Sequence, residues 1–218
     1  KAVVYGVMKC VLGAMGVNIP NTGGYFRPVN ITAPEGTFIN PLLPAPVAAR
    51  ALGLYRASQA VYGAFAQMVP DVVMACTGGC DLGVGLAGYD KSKTPWKAWV
   101  QLEFANEQGV GGFANRDGLD AQIMGGTQNM SNIPVEQLEA ETPVKVNEYA
   151  FLPDTEGSGK FRGAMGMVRE WECLTDETMI QVRADRMKHP PYGLHGGHGS
   201  SPTKITVKTD DKEEQWPS

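Results

Sequence analysis

Val61-Tyr62-Gly63-Ala64-Phe65-Ala66-Gln67-Met68-Val69-Pro70-Asp71-Val72-Val73-Met74-Ala75-Cys76 is where the chain changes its period. Upstream, Val47, Ala51, Leu54, Ser58, Val61, Phe65 and Met68 step by four and three, which predicts one helix over 47–69. Pro46 suits its first turn and Pro70 stops it. Gly53 and Gly63 each weaken that helix by about 1 kcal/mol relative to Ala, and on a buried helix glycine admits a close neighbour. Downstream of Pro70, segments 71–76, 96–104, 144–151, 167–174, 179–184 and 204–208 are short, β-branched or alternating, and bounded by Gly, Pro or Asp. They read as strands.

An earlier helix is marked by Val4, Met8, Val11 and Met15, with Gly16 and Pro20 ending it. No Ser, Thr, Asp or Asn precedes it, so a chain that continues upstream is expected. Between the two helices lie turn signals and a short strand expected at 29–32. A short helix over 134–140 follows Ser131-Asn132-Ile133-Pro134, which offers a cap and an N1 proline. Helices first and strands after predict an α+β fold: N-terminal helices packed against a mainly antiparallel, loop-rich β region. The expected division is a helical part, 1–70, and a β-rich part, 71–218, forming one compact domain together.

Composition narrows the function. Net charge is −4, so neither nucleic acid nor an anionic membrane is called for. The charge is uneven: residues 1–70 carry five Lys/Arg and one Glu, leaving the remainder acidic, a split expected from packing between halves or subunits. Apolar runs fall well short of the roughly 20 residues of a membrane span. Glycine and proline number 27 and 15, far above the usual share and without a period, which marks turns in a loop-rich fold. Cys76 and Cys80 stand C-x3-C with no second Cys/His pair to complete a zinc site, and Cys10 and Cys173 lie apart; reduced thiols and a cytoplasmic location are expected.

Three segments carry candidate chemistry. Residues 109–118 resemble a glycine-rich phosphate loop, but the Lys-Ser/Thr and the following helix are missing, so the expectation is a tight backbone path beside an interface or substrate channel. Residues 125–132 gather Gln128, Asn129 and Asn132, whose amides suit the donor and acceptor edge of a cyclic imide, or else turn and cap chemistry for the helix that follows. Residues 183–199 hold Asp185, Arg186 and all three histidines. His195 and His198 form an H-x2-H pair that is the alternative metal site, although no acidic partner stands nearby. Asp185 with its flanking arginines is expected to anchor the loop, and His189 and His195 are the groups there that titrate near neutrality. No G-x-S-x-G occurs, which argues against Ser-His-Asp catalysis.

In order along the chain, several stretches are similar to the C-terminal half of hydantoinase B / 5-oxoprolinase family subunits. They are Gly24 to Pro28, Ala33 to Pro41, Arg116-Asp117-Gly118, Asn132 to Glu139, Pro143 to Tyr149, Gly157 to Gly166, and Arg186 through Gly197. The resemblance runs from about residue 5 to about residue 200. It implies part of the B-type subunit of an ATP-dependent cyclic-amide hydrolase of hydantoinase, oxoprolinase or lactamase type. The A-type partner binds ATP and Mg and phosphorylates the substrate oxygen, and the B-type subunit carries the activated intermediate onward. An acetone or acetophenone carboxylase-type subunit is the alternative, and a non-catalytic scaffold element the second. The implied substrate-binding residues are Arg116, Asp117, Gln128, Asn129, Asn132, Asp185 and Arg186, with His189 and His195 as catalytic candidates. A divalent metal is expected in the N-terminal region of the relatives and none in this chain. Many relatives carry a His-Thr-His-Met-like run where this chain has Gln122-Ile123-Met124-Gly125-Gly126.

Overall fold

The computed structural model describes residues 1–48, 50–78, 83–103, 109–122, 131–210 and 212–216. It divides into two compact units, Lys1–Met74 and Ala75–Ser218.

In the first unit, α1 (Ala2–Ala14) packs against α2 (Arg50–Met68). Both predicted helices are present, but their buried stripes are turned from the expected ones. Val7 and Val11 are buried in α1, and Tyr55, Gln59 and Ala66 in α2, whereas Val47, Leu54 and Met68 are exposed. Apolar residues come in adjacent pairs here (Leu54-Tyr55, Val61-Tyr62, Phe65-Ala66), so the period is legible and the phase is not. The ring of Phe38 lies on Gly53, where a Cβ would come within 2.6 Å of its carbons. A 3-10 turn, Gly23–Phe26, buries Tyr25, and the Phe26 ring stands 4.3 Å from that of Tyr5. The strand expected at 29–32 does not form. Pro28 and Pro34 bracket it, and the nearby pairing is a single bridge, Thr37 to Asn40.

The second unit holds three antiparallel sheets among the described residues. Strands β1 (Gly83–Asp90), β2 (Lys97–Glu103) and β5 (Thr178–Arg183) pair in the order β2-β1-β5. Strands β3 (Val144–Leu152) and β4 (Gly166–Cys173) form a ribbon with a bulge between Val146 and Glu148. Strands β6 (Thr206–Thr209) and β7 (Lys212–Gln215) form a hairpin. Helix α3 (Val135–Glu141) packs on β3 and buries Leu138. Val84, Leu86, Trp99, Leu138 and Val144 form the core, with Val146, Trp171, Cys173 and Val182 against it.

The α+β expectation holds, with two strands that the sequence reading omits. Central strand β1 reads as loop because Gly83, Gly85 and Gly88 interrupt it. Gly88 is required by its neighbours: a Cβ there would stand 2.9 Å from the Glu177 carbonyl oxygen and 3.1 Å from the Trp99 ring. Strand β7 is a charged run, Lys-Glu-Glu-Gln, with no apolar alternation to mark it. Residues 71–76 are not a strand. Ala75 N–H donates to Gly112 O (2.9 Å) and Cys76 N–H to Tyr192 O (3.1 Å), so the segment is shared between two loops instead of joining a ladder.

Candidate functional site

The motif-bearing loops of the second unit form one hydrogen-bonded mesh. Val110 N–H donates to Leu119 O at 3.0 Å and Ala164 N–H to Val110 O at 3.1 Å. Gly118 N–H reaches Arg162 O at 2.8 Å, and His198 N–H reaches Ser158 O at 2.8 Å. Ser201 N–H donates to Thr155 O and Thr203 N–H to Arg186 O. Backbones this close leave no room for a Cβ, which accounts for much of the glycine excess. At Gly111 it would strike the Ala75 carbonyl, and at Gly118 the Val110 carbonyl. Residues 109–118 are thus the tight path expected of them.

Two carboxylates hold this mesh. Asp120 takes a two-pronged ion pair from Arg162, Nη1 to Oδ1 at 3.0 Å and Nη2 to Oδ2 at 2.9 Å, and also accepts Met165 N–H at 2.8 Å. The Arg162 hydrogen bond, and then the Met165 N–H, hold the Asp120 carboxyl below the usual range against a burial cost. The same contact pushes the Arg162 guanidinium up. Asp117 accepts Arg162 N–H at 2.9 Å, so its carboxylate braces the loop. Arg116, beside it, is exposed and lies over the Phe113 ring at 4.3 Å, while Lys160 lies over Phe161 at 5.3 Å.

Arg186, at φ +65°, donates through Nη2 to Cys76 Sγ (2.8 Å) and Thr77 O (3.3 Å), and through Nη1 to His189 O (3.3 Å). Cys76 and Thr77 are buried. Arg186 therefore anchors the loop that follows it. Burial, then the neighbouring Cys76, pushes the Tyr192 phenol up, with Arg186 opposing. Asp185 is half-buried beside it. His189, His195 and His198 are exposed, and two of them are placed by backbone contacts: the carbonyl of His189 and the N–H of His198. His195 sits at φ +52° in the turn closed by Gly197 N–H on Leu194 O. Among the described residues no group of three His, Cys, Asp or Glu could hold a metal ion. Gln128 and Asn129 lie outside the described residues, as do Cys80 and 123–126.

Asn132 belongs to a second polar group. It makes no side-chain cap on α3. Its Nδ2 donates to the Tyr149 hydroxyl, and its Oδ1 is shielded from solvent without a partner. The Tyr149 ring carries the Arg169 guanidinium 4.3 Å above it, and Trp171 flanks Arg169 at 5.4 Å. Arg169 Nη2 stands 3.0 Å from Glu103 Oε2, with the two side chains 4% and 2% exposed, and Gln101 Nε2 donates to Glu103 Oε1 at 3.0 Å. This group escapes the sequence reading because β2 runs against its apparent pattern. Trp99, Gln101 and Glu103 point inward, while Val100 and Leu102 are exposed. The available signal was a carboxylate at the same parity as a core tryptophan.

An α+β unit of antiparallel sheets with glycine-lined, mutually braced loops is the class that the geometry defines. The sequence profile of the Hydantoinase B/oxoprolinase family matches residues 1–218, and the chain belongs to that family. It is 32% identical over 203 residues to the B-type subunit of a putative D-/L-hydantoinase of Pseudomonas sp. (strain NS671), covering 92% of this chain and 33% of that protein. The crystal structure of the ATP-dependent caprolactamase from Pseudomonas jessenii superposes with a TM-score of 0.71 at 26% identity, over 97% of this chain and 38% of the other. A nucleotide-free acetone carboxylase structure shares the fold, with a TM-score of 0.51 at 18% identity over 72% of this chain and 20% of that one. The chain spans about a third of the length of the hydantoinase relative. No helix among the described residues is long and apolar enough to cross a membrane.

Proposed function

We propose that the chain is part of the B-type subunit of an ATP-dependent cyclic-amide hydrolase and handles a phosphorylated intermediate made by an A-type partner. One observation carries the reading. Three segments far apart in sequence, 116–118, 157–166 and 186–199, meet in a single braced mesh in a chain of this family.

An amide carbonyl is a poor electrophile; phosphorylating its oxygen activates the carbon toward water. Cleavage of the C–N bond then opens the ring to an acyl phosphate with the nitrogen leaving as the amine, and hydrolysis of the acyl phosphate releases phosphate. What a B-type surface must then supply is positioning, exclusion of competing water and charge for the phosphoryl oxygens. Arg116 and Lys160 are exposed cations on adjoining loops of the mesh, and they suit that last role. Asp117, Asp120 and Arg162 brace the loops, and Arg186 fixes the exit of β5, so that His189 and His195 are presented at its surface as proton carriers. ATP and Mg are assigned to the A-type partner.

The test is to assemble the subunit carrying this chain with its A-type partner and supply ATP with hydantoin, 5-oxoproline or caprolactam. Ring opening that needs both subunits and ATP supports the reading. Carboxylation of acetone with no ring opening of any cyclic amide overturns it.

A further inference from the structure

We propose that the outer face of the β2-β1-β5 sheet is a docking surface for one apolar helix, supplied by the part of the B-type subunit that the relatives carry beyond the region matched here; this rests on the reading of the chain as part of such a subunit. Register sets the face. Val84, Leu86 and Trp99 point into the core, so their neighbours Gly85, Ala87, Val100 and Leu102 point away from it. Ala87 stands opposite Val100 on one side and Met179 on the other, and Gly85 opposite Leu102 and Gln181. A Cβ on Gly85 would lie 3.4 Å from Leu102 Cδ2 and 3.9 Å from Gln181 Cβ, which puts all three on one side of the sheet. Val100 is 65% and Met179 74% exposed. Tyr89 and Trp96, exposed and with ring centroids 6.5 Å apart, extend the patch at its other end. It leaves on the order of 500 Å² of apolar surface in water, at the upper end of what monomeric proteins leave bare.

Shape and polarity select the occupant. Gly85 and Ala87 make a trough along β1, and the flanking strands, β2 and β5, lie two strand spacings apart, about 10 Å. That is the width of one α-helix with its side chains, about 10–12 Å. A second sheet would need a level face, and the ridges of Val100, Leu102 and Met179 deny it. Among the described residues the trough and its ridges carry no charged side chain. Interfaces between separately folded partners stay mixed in polarity, whereas a face this apolar resembles a domain core cut open, which favours a segment of the same subunit. The relatives have chain to spare for it: the matched region is 33% of the hydantoinase subunit and 38% of the caprolactamase chain. Charge orients the helix. Arg183, two residues past Gln181 on the same face, donates to Gln181 Oε1 at 3.2 Å and has no carboxylate partner among the described residues. The C-terminal end of the helix, or a carboxylate on it, meets Arg183 there.

The test is alkylation by iodoacetamide of Met179→Cys and Val100→Cys, one on each ridge, read position by position with peptide mass spectrometry. Both positions are exposed in this chain, so neither substitution touches its core, and two positions keep the test standing where one variant folds poorly. Each variant is made in this chain and in the whole B-type subunit, with and without the A-type partner. The expected result is fast labelling in this chain at every concentration, and labelling slowed by about tenfold or more at both positions in the whole subunit without the partner. Equal rates in the chain and in the subunit would overturn the proposal. So would protection that appears only as the chain is concentrated, which marks a second copy, or only on adding the A-type partner. Protection of one ridge without the other contradicts a helix seated between them. ATP-dependent ring opening by the unsubstituted assembly, measured in parallel, reports on the cyclic-amide reading by itself. If it persists while both cysteines stay reactive, only the docking surface is wrong.

Discussion

Replacing Asp120 by Asn removes the charge from the brace while leaving an oxygen for Met165 N–H. What is lost is the two-pronged pair with Arg162, at 3.0 and 2.9 Å. Charge-assisted hydrogen bonds are worth more than neutral ones, but Asp120 is 23% and Arg162 35% exposed, so solvent screening trims the total to about 2 kcal/mol. At a urea slope of about 2 kcal/mol/M, the midpoint should fall by about 1 M. The pH dependence has a definite sign. Asp120 sits below its ordinary value of 3.8 in the folded chain, chiefly through Arg162. Its contribution is therefore complete above 3.8 and disappears as pH falls through the lower folded value. Urea melts of the full chain and Asp120→Asn at neutral pH and at stepwise lower pH should converge in acid. Equal stability at neutral pH, or a difference that persists unchanged in strong acid, would refute the assignment of Asp120 as the brace.

Gly111→Ala drives a methyl into the Ala75 carbonyl and should cost about 1–3 kcal/mol in thermal melts. Glu103→Gln leaves Arg169 buried with its charge uncompensated and should cost about 3–5 kcal/mol, whereas Glu103→Met/Arg169→Met should recover most of that in the same denaturation assay. Arg186→Lys loses the fork that reaches Cys76, Thr77 and His189, so amide exchange at Cys76, whose N–H is held by Tyr192 O, should quicken by about tenfold or more.

Helix positions and five of the seven strands among the described residues were legible because their periods are strong: 3.6 in α1 and α2, two in β3. Phase was not. Leu54 and Tyr55 are adjacent, and only packing chooses Tyr55 for burial. Strand β1 was hidden by glycines whose reason is a neighbour, since Trp99 and Glu177 lie on Gly88. At the candidate site, the motif segments 116–118, 157–166 and 186–199 could be singled out, but their meeting depends on long-range backbone pairing that no local pattern encodes. Asp117 could be singled out as a ligand group, but its acceptance of Arg162 N–H, 45 residues on, had no local signal. Arg169 and Glu103 left no local trace, because a buried ion pair between β4 and β2 is a tertiary fact.

The reaction proposed for the assembly leaves an isotopic record. With a cyclic amide labelled with oxygen-18 at the scissile carbonyl, phosphorylation of that oxygen, addition of water to the carbon, C–N cleavage to an acyl phosphate and hydrolysis of that acyl phosphate at carbon carry the label into inorganic phosphate. Mass spectrometry of the phosphate released by the A-type partner together with the subunit carrying this chain should find the label, and neither component alone should release labelled phosphate. Label retained wholly in the ring-opened product, with unlabelled phosphate, would contradict an acyl phosphate hydrolysed at carbon on this subunit.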